Sequence, residues 1–235
     1  MVTVDSPESA EALAIAGVEW LFLDAEHSPV LNPAAVQRIV QAVAGRAYTL
    51  VRVPYNDETW IKQALDAGAS GVIVPHVRNG YDARRAVASA KYPPLGSRSV
   101  GIARAHDYGL DFPGYLERAN RSTALVVQIE DAEAVEALDE ILAVTGVDGV
   151  FVGPYDLSGS LGRLGNLQDP DVRAAVEAVV AGSRKARMPL GIYTATADAA
   201  RAEIERGFGF LAVGTDLGHL VGAVRDVVAQ TVGAD

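Results

Sequence analysis

Short apolar runs alternate with amphipathic segments along the 235-residue chain. The runs are continuous stretches rich in Val, Ile and Leu, which is typical of parallel strands covered by helices. The segments between them carry helix start and stop signals, such as Ser6-Pro7-Glu8 before one segment and Gly17 after it. The pattern predicts eight strands, at 2–4, 20–23, 49–53, 71–74, 125–129, 149–152, 190–193 and 210–213.

The segments between the strands predict helices at 8–16, 33–44, 58–67, 82–90, 132–144, 171–186, 197–206 and 217–231. This alternation favours a (β/α)8 TIM barrel, with 1–235 as a single barrel domain. The competing fold, a doubly wound open sheet, requires a glycine-rich turn after its first strand, and Asp5-Ser6-Pro7 is not one. The first strand is short, so either the chain begins inside it or the barrel closes imperfectly there.

One region lacks the periodicity. The stretch 92–96 contains two consecutive prolines, and glycines are then scattered among polar and aromatic residues as far as Ser122. Such a stretch predicts a long functional loop with short helices.

Composition excludes several classes of function. The chain has no cysteine, which excludes disulfides, thiolate metal sites and a cysteine nucleophile. A net charge of −10 without a basic run argues against nucleic acid or an anionic membrane as partner. No apolar run is long enough to cross a bilayer and the first residues show no secretory signal, so the cytoplasm is the expected location.

Candidate chemistry comes from the residues just past the strand ends, because these line the active-site mouth of a barrel. The sequence places nine polar residues there: Asp24, Glu26, His27, Arg52, His76, Gln128, Glu130, Asp156 and Asp216. A purely structural barrel does not need so many ionisable groups at one end. Their convergence indicates an active site more strongly than any single residue does.

Two of these carboxylates, Glu130 and Asp156, follow neighbouring predicted strands, and Gln128 shares a strand face with Glu130. Paired oxygen ligands with room for water and substrate suit a hard divalent cation such as Mg²⁺ or Mn²⁺. A structural interpretation remains open, in which Glu130 begins the next helix and Asp156 caps a turn.

Arg52 interrupts an apolar strand, so its guanidinium must be paired or face the mouth. Its planar fork suits a carboxylate or a developing enolate, and the alternative is a structural ion pair with Asp24 or Glu26. His27 could be a general base, a metal ligand or a loop residue whose hydrogen bonds are made within the loop.

The lysines exclude one mechanism. Lys62, Lys91 and Lys185 all fall on helical segments, and none lies at a strand end, where a Schiff-base lysine is required. The electrophilic role is therefore expected to fall to a metal ion.

Six stretches resemble, in the right order, the HpcH/HpaI family of class II (metal-dependent) pyruvate aldolases. These are 20–27, 51–54, 61–68, 91–98, 127–130 and 153–158. Each motif alone is weak, but the ordered set covers nearly the whole chain and is highly specific.

The resemblance implies a divalent metal (Mg, Mn or Co) bound by Glu130 and Asp156. It implies that Arg52 contacts the keto oxygen and the enolate. Gln128, together with backbone N–H groups near Tyr155 and Asp156, would place the 2-oxo acid. The family also implies a homohexamer whose C-terminal helix is exchanged between subunits.

The resemblance further implies that His27 moves the proton of the aldol hydroxyl and that Asp66 is paired with it. Asp66 lies near the C-terminus of a helix that leads into the next strand, which places it at the end of its own barrel opposite the mouth. An active site shared between subunits is therefore expected.

These implied roles predict a carbon–carbon lyase that cleaves a 4-hydroxy-2-oxo acid reversibly to pyruvate, or a close analogue, and an aldehyde. Two other functions remain open: an acyl-CoA lyase of the citrate-lyase β-chain type, and a non-catalytic barrel that binds an oxo acid. Some residues depart from the family pattern and leave the aldehyde open: Ala25, His76, Tyr155, Tyr193 and Thr194.

Overall fold

The computed structural model describes residues 1–232. Seven parallel strands follow one another in chain order around a nearly closed barrel. They are β1 (Trp20–Asp24), β2 (Tyr48–Arg52), β3 (Gly71–Val74), β4 (Ala124–Ile129), β5 (Gly149–Val152), β6 (Leu190–Thr194) and β7 (Phe210–Val213). Each of these matches a predicted strand to within one residue, so the parallel α/β barrel is confirmed as the fold class.

The prediction of an eighth strand at 2–4 is wrong, because only Val2 pairs with a strand, in a single bridge to Leu23. The Val2 N–H donates to the Phe22 carbonyl at 2.7 Å, and the Asp24 N–H donates to the Val2 carbonyl at 3.1 Å. Two hydrogen bonds around one residue do not make a ladder.

The same short segment also contacts the far edge of the sheet. The amino group of Met1 donates to the Gly214 carbonyl at 2.9 Å, and the Asp216 N–H donates to the Met1 carbonyl at 2.9 Å. The buried Asp216 carboxylate accepts from the Thr3 hydroxyl at 2.7 Å. Residues 1–3 therefore occupy the gap between β1 and β7. This is the imperfect closure that the sequence left open as one of two alternatives.

Helices follow the strands. They are α1 (Pro7–Ile15), α2 (Pro33–Val43), α3 (Glu58–Asp66), α4 (Gly80–Ala90), α5 (Phe112–Ser122), α6 (Ala132–Glu136), α7 (Leu138–Leu142), α8 (Pro154–Ser160), α9 (Pro170–Ala186), α10 (Ala197–Glu205) and α11 (Asp216–Val232). A 3-10 helix, Arg104–Gly109, lies in the predicted long loop, which α5 completes. Side chains of Ser6, Asn32, Asp57 and Asn79 cap the N-termini of the first four helices.

Two helix predictions differ from the structure. The single helix predicted at 132–144 is divided into α6 and α7, because Ala137 leaves helical geometry with φ −92° and ψ 13°. The short helix α8 is absent from the prediction, which places no helix between the strand at 149–152 and the helix at 171–186.

The barrel interior is filled by a compact apolar cluster of Phe22, Ile73, Val126, Phe151 and Ala212. Because strand side chains alternate, the residue two positions further along a strand faces the same side. The interior face above this cluster therefore carries Asp24 after Phe22 and Gln128 after Val126. The larger core lies between the outer strand faces and the helices.

Helix α11 stands apart from this packing, since Asp216 is its only buried residue. Its exposed apolar residues repeat at helical spacing: Leu217, Leu220, Val221, Val224, Val227, Val228 and Val232. A groove of about 760 Å³ runs between α1 and α10, lined by Leu13, Val18, Ile204 and Phe208 among others. No helix within residues 1–232 has the length and apolar character needed to cross a membrane.

Candidate active site

The ends of β1 and β2 are joined by a buried ion pair. Arg52 Nε donates to Asp24 Oδ1 at 3.0 Å, and Nη2 donates to Oδ2 at 2.8 Å. The third nitrogen, Nη1, lies 3.0 Å from Glu26 Oε2. The guanidinium carbon also lies 5.2 Å from the centre of the Phe22 ring. The Arg52 side chain is therefore ion-paired with both predicted acids and lies at the mouth.

Glu26 connects this pair to His27. Burial raises the pKa of the Glu26 carboxyl above its ordinary value, Arg52 opposes this increase, and Glu130 adds to it. His27 Nε2 lies 3.6 Å from Glu26 Oε2, and the His27 side chain is 68% exposed. His27 is thus at the solvent edge of the cluster, where an incoming molecule can reach its ring.

Glu130 lies on the other side of the mouth, directly after β4, and is only 2% exposed. Its Oε2 accepts from Gln128 Nε2, and its Oε1 accepts from the His76 backbone N–H at 2.8 Å. Glu130 does not begin the next helix, because Asp131 occupies the N-cap position of α6. The side-chain amide oxygen of Gln128, Oε1, is buried without a hydrogen-bond partner among residues 1–232.

A glycine makes room for the Glu130 carboxylate. A Cβ atom on Gly153 would lie 2.8 Å from Glu130 Cβ and 3.1 Å from Glu130 Oε2. Gly153 is also the residue from which α8 begins. The junction between β5 and α8 can therefore approach Glu130 closely only because this position has no side chain.

His76 also lies at the mouth. The sequence assigns it no role and marks it only as a departure from the family pattern. Its Nδ1 lies 3.2 Å from Glu130 Oε1, and its Nε2 lies 3.4 Å from Glu26 Oε1. Its backbone is in the left-handed region, with φ +54°. The imidazole therefore connects the Glu26 side of the mouth to the Glu130 side. The sequence does show a histidine just past the end of a strand, which is a position at the mouth. It does not show the contacts of His76 with Glu26 and Glu130, because these residues follow other strands.

Asp156 lies in the first turn of α8 and is exposed. Its carboxylate makes no hydrogen bond or ion pair within residues 1–232, so it does not cap a turn. Tyr155, beside it, is also exposed. Burial raises the pKa of the Tyr193 hydroxyl, with a smaller contribution from Tyr155. The two tyrosines line one cavity at the β5–β6 side of the mouth.

Asp66 is not brought to this cluster within one chain. It is the last residue of α3, and its Oδ1 accepts from Arg98 Nη2 at 2.5 Å. Lys91 is also placed away from the mouth, where its buried Nζ donates to Asp148 and to the Thr123 carbonyl, both at 2.7 Å. No lysine among the described residues lies at a strand end, as the sequence predicted.

The donor set at the mouth fits a hard divalent cation. Glu130 and Asp156 provide carboxylate oxygens, and the unpaired Gln128 carbonyl is a further oxygen donor. Within residues 1–232, no three His, Asp or Glu side chains already surround a common point. The described residues therefore fit a cation that takes part of its coordination from water and substrate, as Mg²⁺ and Mn²⁺ commonly do.

Residues 2–223 match the HpcH/HpaI aldolase/citrate lyase family. A 4-hydroxy-2-oxo-heptane-1,7-dioate aldolase from Shigella sonnei is 43% identical over 230 residues, which cover 97% of this chain and 87% of the relative. A 2-dehydro-3,6-dideoxy-6-sulfogluconate aldolase from Pseudomonas putida is 38% identical over 230 residues, covering 97% of this chain and 89% of the relative. The crystal structure of an HpcH/HpaI aldolase/citrate lyase family protein from Burkholderia cenocepacia superposes with a TM-score of 0.93 at 36% identity, covering 97% of this chain and 91% of the other.

These similarities extend over almost the whole chain and include the barrel, the strand ends and the loops that carry the mouth residues. They confirm the family expected from the ordered motifs, and both curated relatives are named as aldolases. The chain belongs to the HpcH/HpaI aldolase/citrate lyase family.

Proposed function

We propose that this barrel is a metal-dependent aldolase, cleaving a 4-hydroxy-2-oxo acid reversibly to pyruvate, or a close analogue, and an aldehyde. One observation carries the proposal: a continuous set of ionisable side chains at the mouth, running from Arg52 through Glu26 and His76 to Glu130. The names of the two curated relatives support the same reaction class.

Glu130 and Asp156 are proposed to hold the divalent cation, Mg²⁺, Mn²⁺ or Co²⁺. When bound, such a cation acts as a Lewis acid that stabilises negative charge on the oxygens of a 2-oxo acid. Gln128 supports this arrangement, because its amide N–H fixes the Glu130 carboxylate while its carbonyl oxygen remains available. The first turn of α8, with the N–H groups of Tyr155 and Asp156, is proposed to bind the substrate carboxylate.

Arg52 provides fixed positive charge toward the keto oxygen. Its fork is held from two sides, by both oxygens of Asp24 and by Glu26. A guanidinium fixed in this way does not need to reorganise when charge develops on the substrate during bond cleavage. The buried ion pair therefore positions the group that stabilises the enolate.

His27 is proposed as the base that takes the proton of the C4 hydroxyl, directly or through a water, when the C3–C4 bond breaks. It is the more exposed of the two imidazoles in the cluster, and its Nε2 lies 3.6 Å from Glu26 Oε2. In the direction of aldol addition, the same ring returns the proton to the new hydroxyl.

The active site is proposed to be shared between subunits of a homo-oligomer, a hexamer by resemblance. Asp66 and His27 lie at opposite ends of the barrel, so Asp66 could pair with His27 only if the two residues came from different chains. The exposed apolar stripe of α11 and the groove between α1 and α10 are complementary in character. The groove is where the eighth helix of a barrel would pack, and we propose that α11 of another copy occupies it.

The proposed reaction is tested by supplying 4-hydroxy-2-oxoheptanedioate, as the racemate, and measuring pyruvate with lactate dehydrogenase. Protein treated with a chelator should release no pyruvate above background, and added Mn²⁺ or Mg²⁺ should restore release. Release that is equally fast in the chelated protein would contradict the metal dependence. If no pyruvate forms from this or shorter 4-hydroxy-2-oxo acids with any of the three metals, the aldolase assignment is wrong.

A further inference from the structure

His76 belongs to the set of ionisable side chains at the mouth, but the proposed reaction gives it no role of its own. Its imidazole lies between two carboxylates, with Nδ1 3.2 Å from Glu130 Oε1 and Nε2 3.4 Å from Glu26 Oε1. The side chain is half exposed, whereas the Glu26 and Glu130 side chains are 9% and 2% exposed. An ordinary surface histidine would not be aimed at two buried acids.

The backbone aims the ring at Glu130. His76 adopts φ +54°, a conformation that side chains other than glycine adopt infrequently. The same residue donates its backbone N–H to Glu130 Oε1 at 2.8 Å. Backbone and ring of His76 therefore converge on one oxygen of the proposed metal-binding carboxylate. Uncommon backbone conformations of this kind persist where the surrounding structure requires them.

The separation between ring and carboxylate suits two ligands of one ion. Neighbouring ligands of an octahedral ion, each bound at about 2.1 Å, lie about 3.0 Å apart. The observed distance from Nδ1 to Glu130 Oε1 is 3.2 Å. A second feature also points to a ligand here, because the carbonyl oxygen of the buried Gln128 next to Glu130 has no partner among the described residues.

We propose that His76 is a nitrogen ligand of the divalent cation held by Glu130 and Asp156; this rests on the metal site proposed above. A site of two carboxylates and one imidazole gains affinity for Ni²⁺, Zn²⁺ and Co²⁺ over Mg²⁺ and Mn²⁺, because imidazole nitrogen suits the former and oxygen ligands suit the latter. As the side chains stand, no three carboxylate or imidazole groups of residues 1–232 surround a common point. Ligation therefore requires the half-exposed His76 ring to turn from Glu26 toward the ion.

A competing role is a simple bridge, in which His76 only connects Glu26 and Glu130. The two roles predict different results. Removing a ligand weakens binding of the metals that prefer nitrogen and leaves the others nearly unchanged. Removing a bridge frees Glu130, so the affinity for all divalent cations rises or stays the same.

The test is metal binding by calorimetry on chelator-treated full-length protein, comparing the wild type with His76→Asn. Asparagine tolerates the left-handed backbone and keeps the N–H that donates to Glu130. We expect His76→Asn to lower the affinity for Ni²⁺ and Zn²⁺ about tenfold or more, while the affinities for Mg²⁺ and Mn²⁺ change by less than about threefold. With bound Co²⁺, the visible absorption bands of the wild type should shift in the variant.

His27→Asn is the matched control, because it removes the other imidazole of the mouth, which contacts Glu26 and not Glu130. It should leave the metal preference and the Co²⁺ bands unchanged. Unaltered or uniformly increased affinities in a folded His76→Asn protein would overturn the role of His76. Glu130→Gln separates this failure from that of the metal site. If the wild type binds no divalent cation, or binds it equally well with Gln at position 130, the metal site and the proposed role of His76 are both wrong.

Discussion

Glu130 is buried at the mouth, where its carboxylate accepts hydrogen bonds from the Gln128 side chain and the His76 backbone N–H and lies close to Gly153. Replacing Glu130 by Gln keeps the size of the side chain and removes its charge. We expect metal-dependent turnover to fall about 100-fold or more, with the circular dichroism spectrum unchanged. Glu136→Gln, an exposed position on α6, is the matched control and should retain the wild-type rate. A near-normal rate with unchanged metal dependence in Glu130→Gln would contradict the assignment.

Arg52 combines a structural and a chemical role, and two substitutions separate them. Arg52→Ala leaves the buried Asp24 without its bidentate partner, so we expect a loss of about 3–5 kcal/mol in the free energy of unfolding, measured with urea. Arg52→Lys keeps the charge but not the planar fork, so stability should fall less while turnover still drops strongly. If Arg52→Lys retains full turnover, the fork does not contribute to catalysis.

Single residues differ in how far the sequence determines their role. An arginine inside an apolar strand has few options, so the pairing of Arg52 with Asp24 and its place at the mouth could both be anticipated. The position of His76 could not, because its partners Glu26 and Glu130 belong to other strands and the contact depends on the left-handed backbone at residue 76. Asp66 was correctly expected away from the mouth, since the C-terminus of a helix in a barrel lies at the opposite end.

The junction between β5 and α8 lies close to Glu130 at Gly153 and is followed by Asp156 in the first turn of α8. Gly153→Ala would introduce a Cβ atom 2.8 Å from Glu130 Cβ, which is attached directly to the backbone and cannot move aside as the end of a side chain can. We expect this change to weaken Mn²⁺ binding and turnover, measured by calorimetry and by pyruvate release. Gly209→Ala, where an added Cβ meets nothing within 4 Å, should leave both unchanged. Equal metal affinity in the wild type and Gly153→Ala would show that the close approach is not required.

Most strands and helices follow from local pattern, because apolar runs and caps determine them. The exceptions are elements whose form depends on contacts elsewhere. Residues 2–4 have strand composition but too few neighbours in register to form a ladder. Helix α8 is short and has only two buried residues, so its sequence shows little amphipathic signal. The division between α6 and α7 at Ala137 could not be predicted, because neither glycine nor proline occurs there.

Helix α11 carries an apolar face that the described part of its own chain leaves exposed. If that face docks on another copy, Val224→Asp should lower the molecular mass measured by light scattering after gel filtration, because a charge would be buried in an apolar groove. Gln230→Asp lies on another side of the helix by periodicity and should leave the mass unchanged. An unchanged mass in Val224→Asp would contradict the exchange of this helix.

At the scale of the assembly, a shared active site can be tested by complementation. His27→Ala and Asp66→Ala should each be nearly inactive alone. If His27 and Asp66 act across a subunit interface, co-expression of the two variants should restore part of the activity, because some sites then combine two intact residues from different chains. Co-expressed variants that stay inactive in a mixed oligomer would place the two residues outside a common site.

The central claim is that this mouth binds a metal and forms an enolate from a 2-oxo acid. Exchange of the C3 protons of pyruvate with solvent deuterium, followed by NMR, tests it without knowledge of the aldehyde. The account predicts exchange in the presence of Mn²⁺ or Mg²⁺ and none after metal removal, with Glu130→Gln close to background under both conditions. Absence of exchange in folded, metal-supplied wild-type protein, or exchange that persists after metal removal, would contradict it.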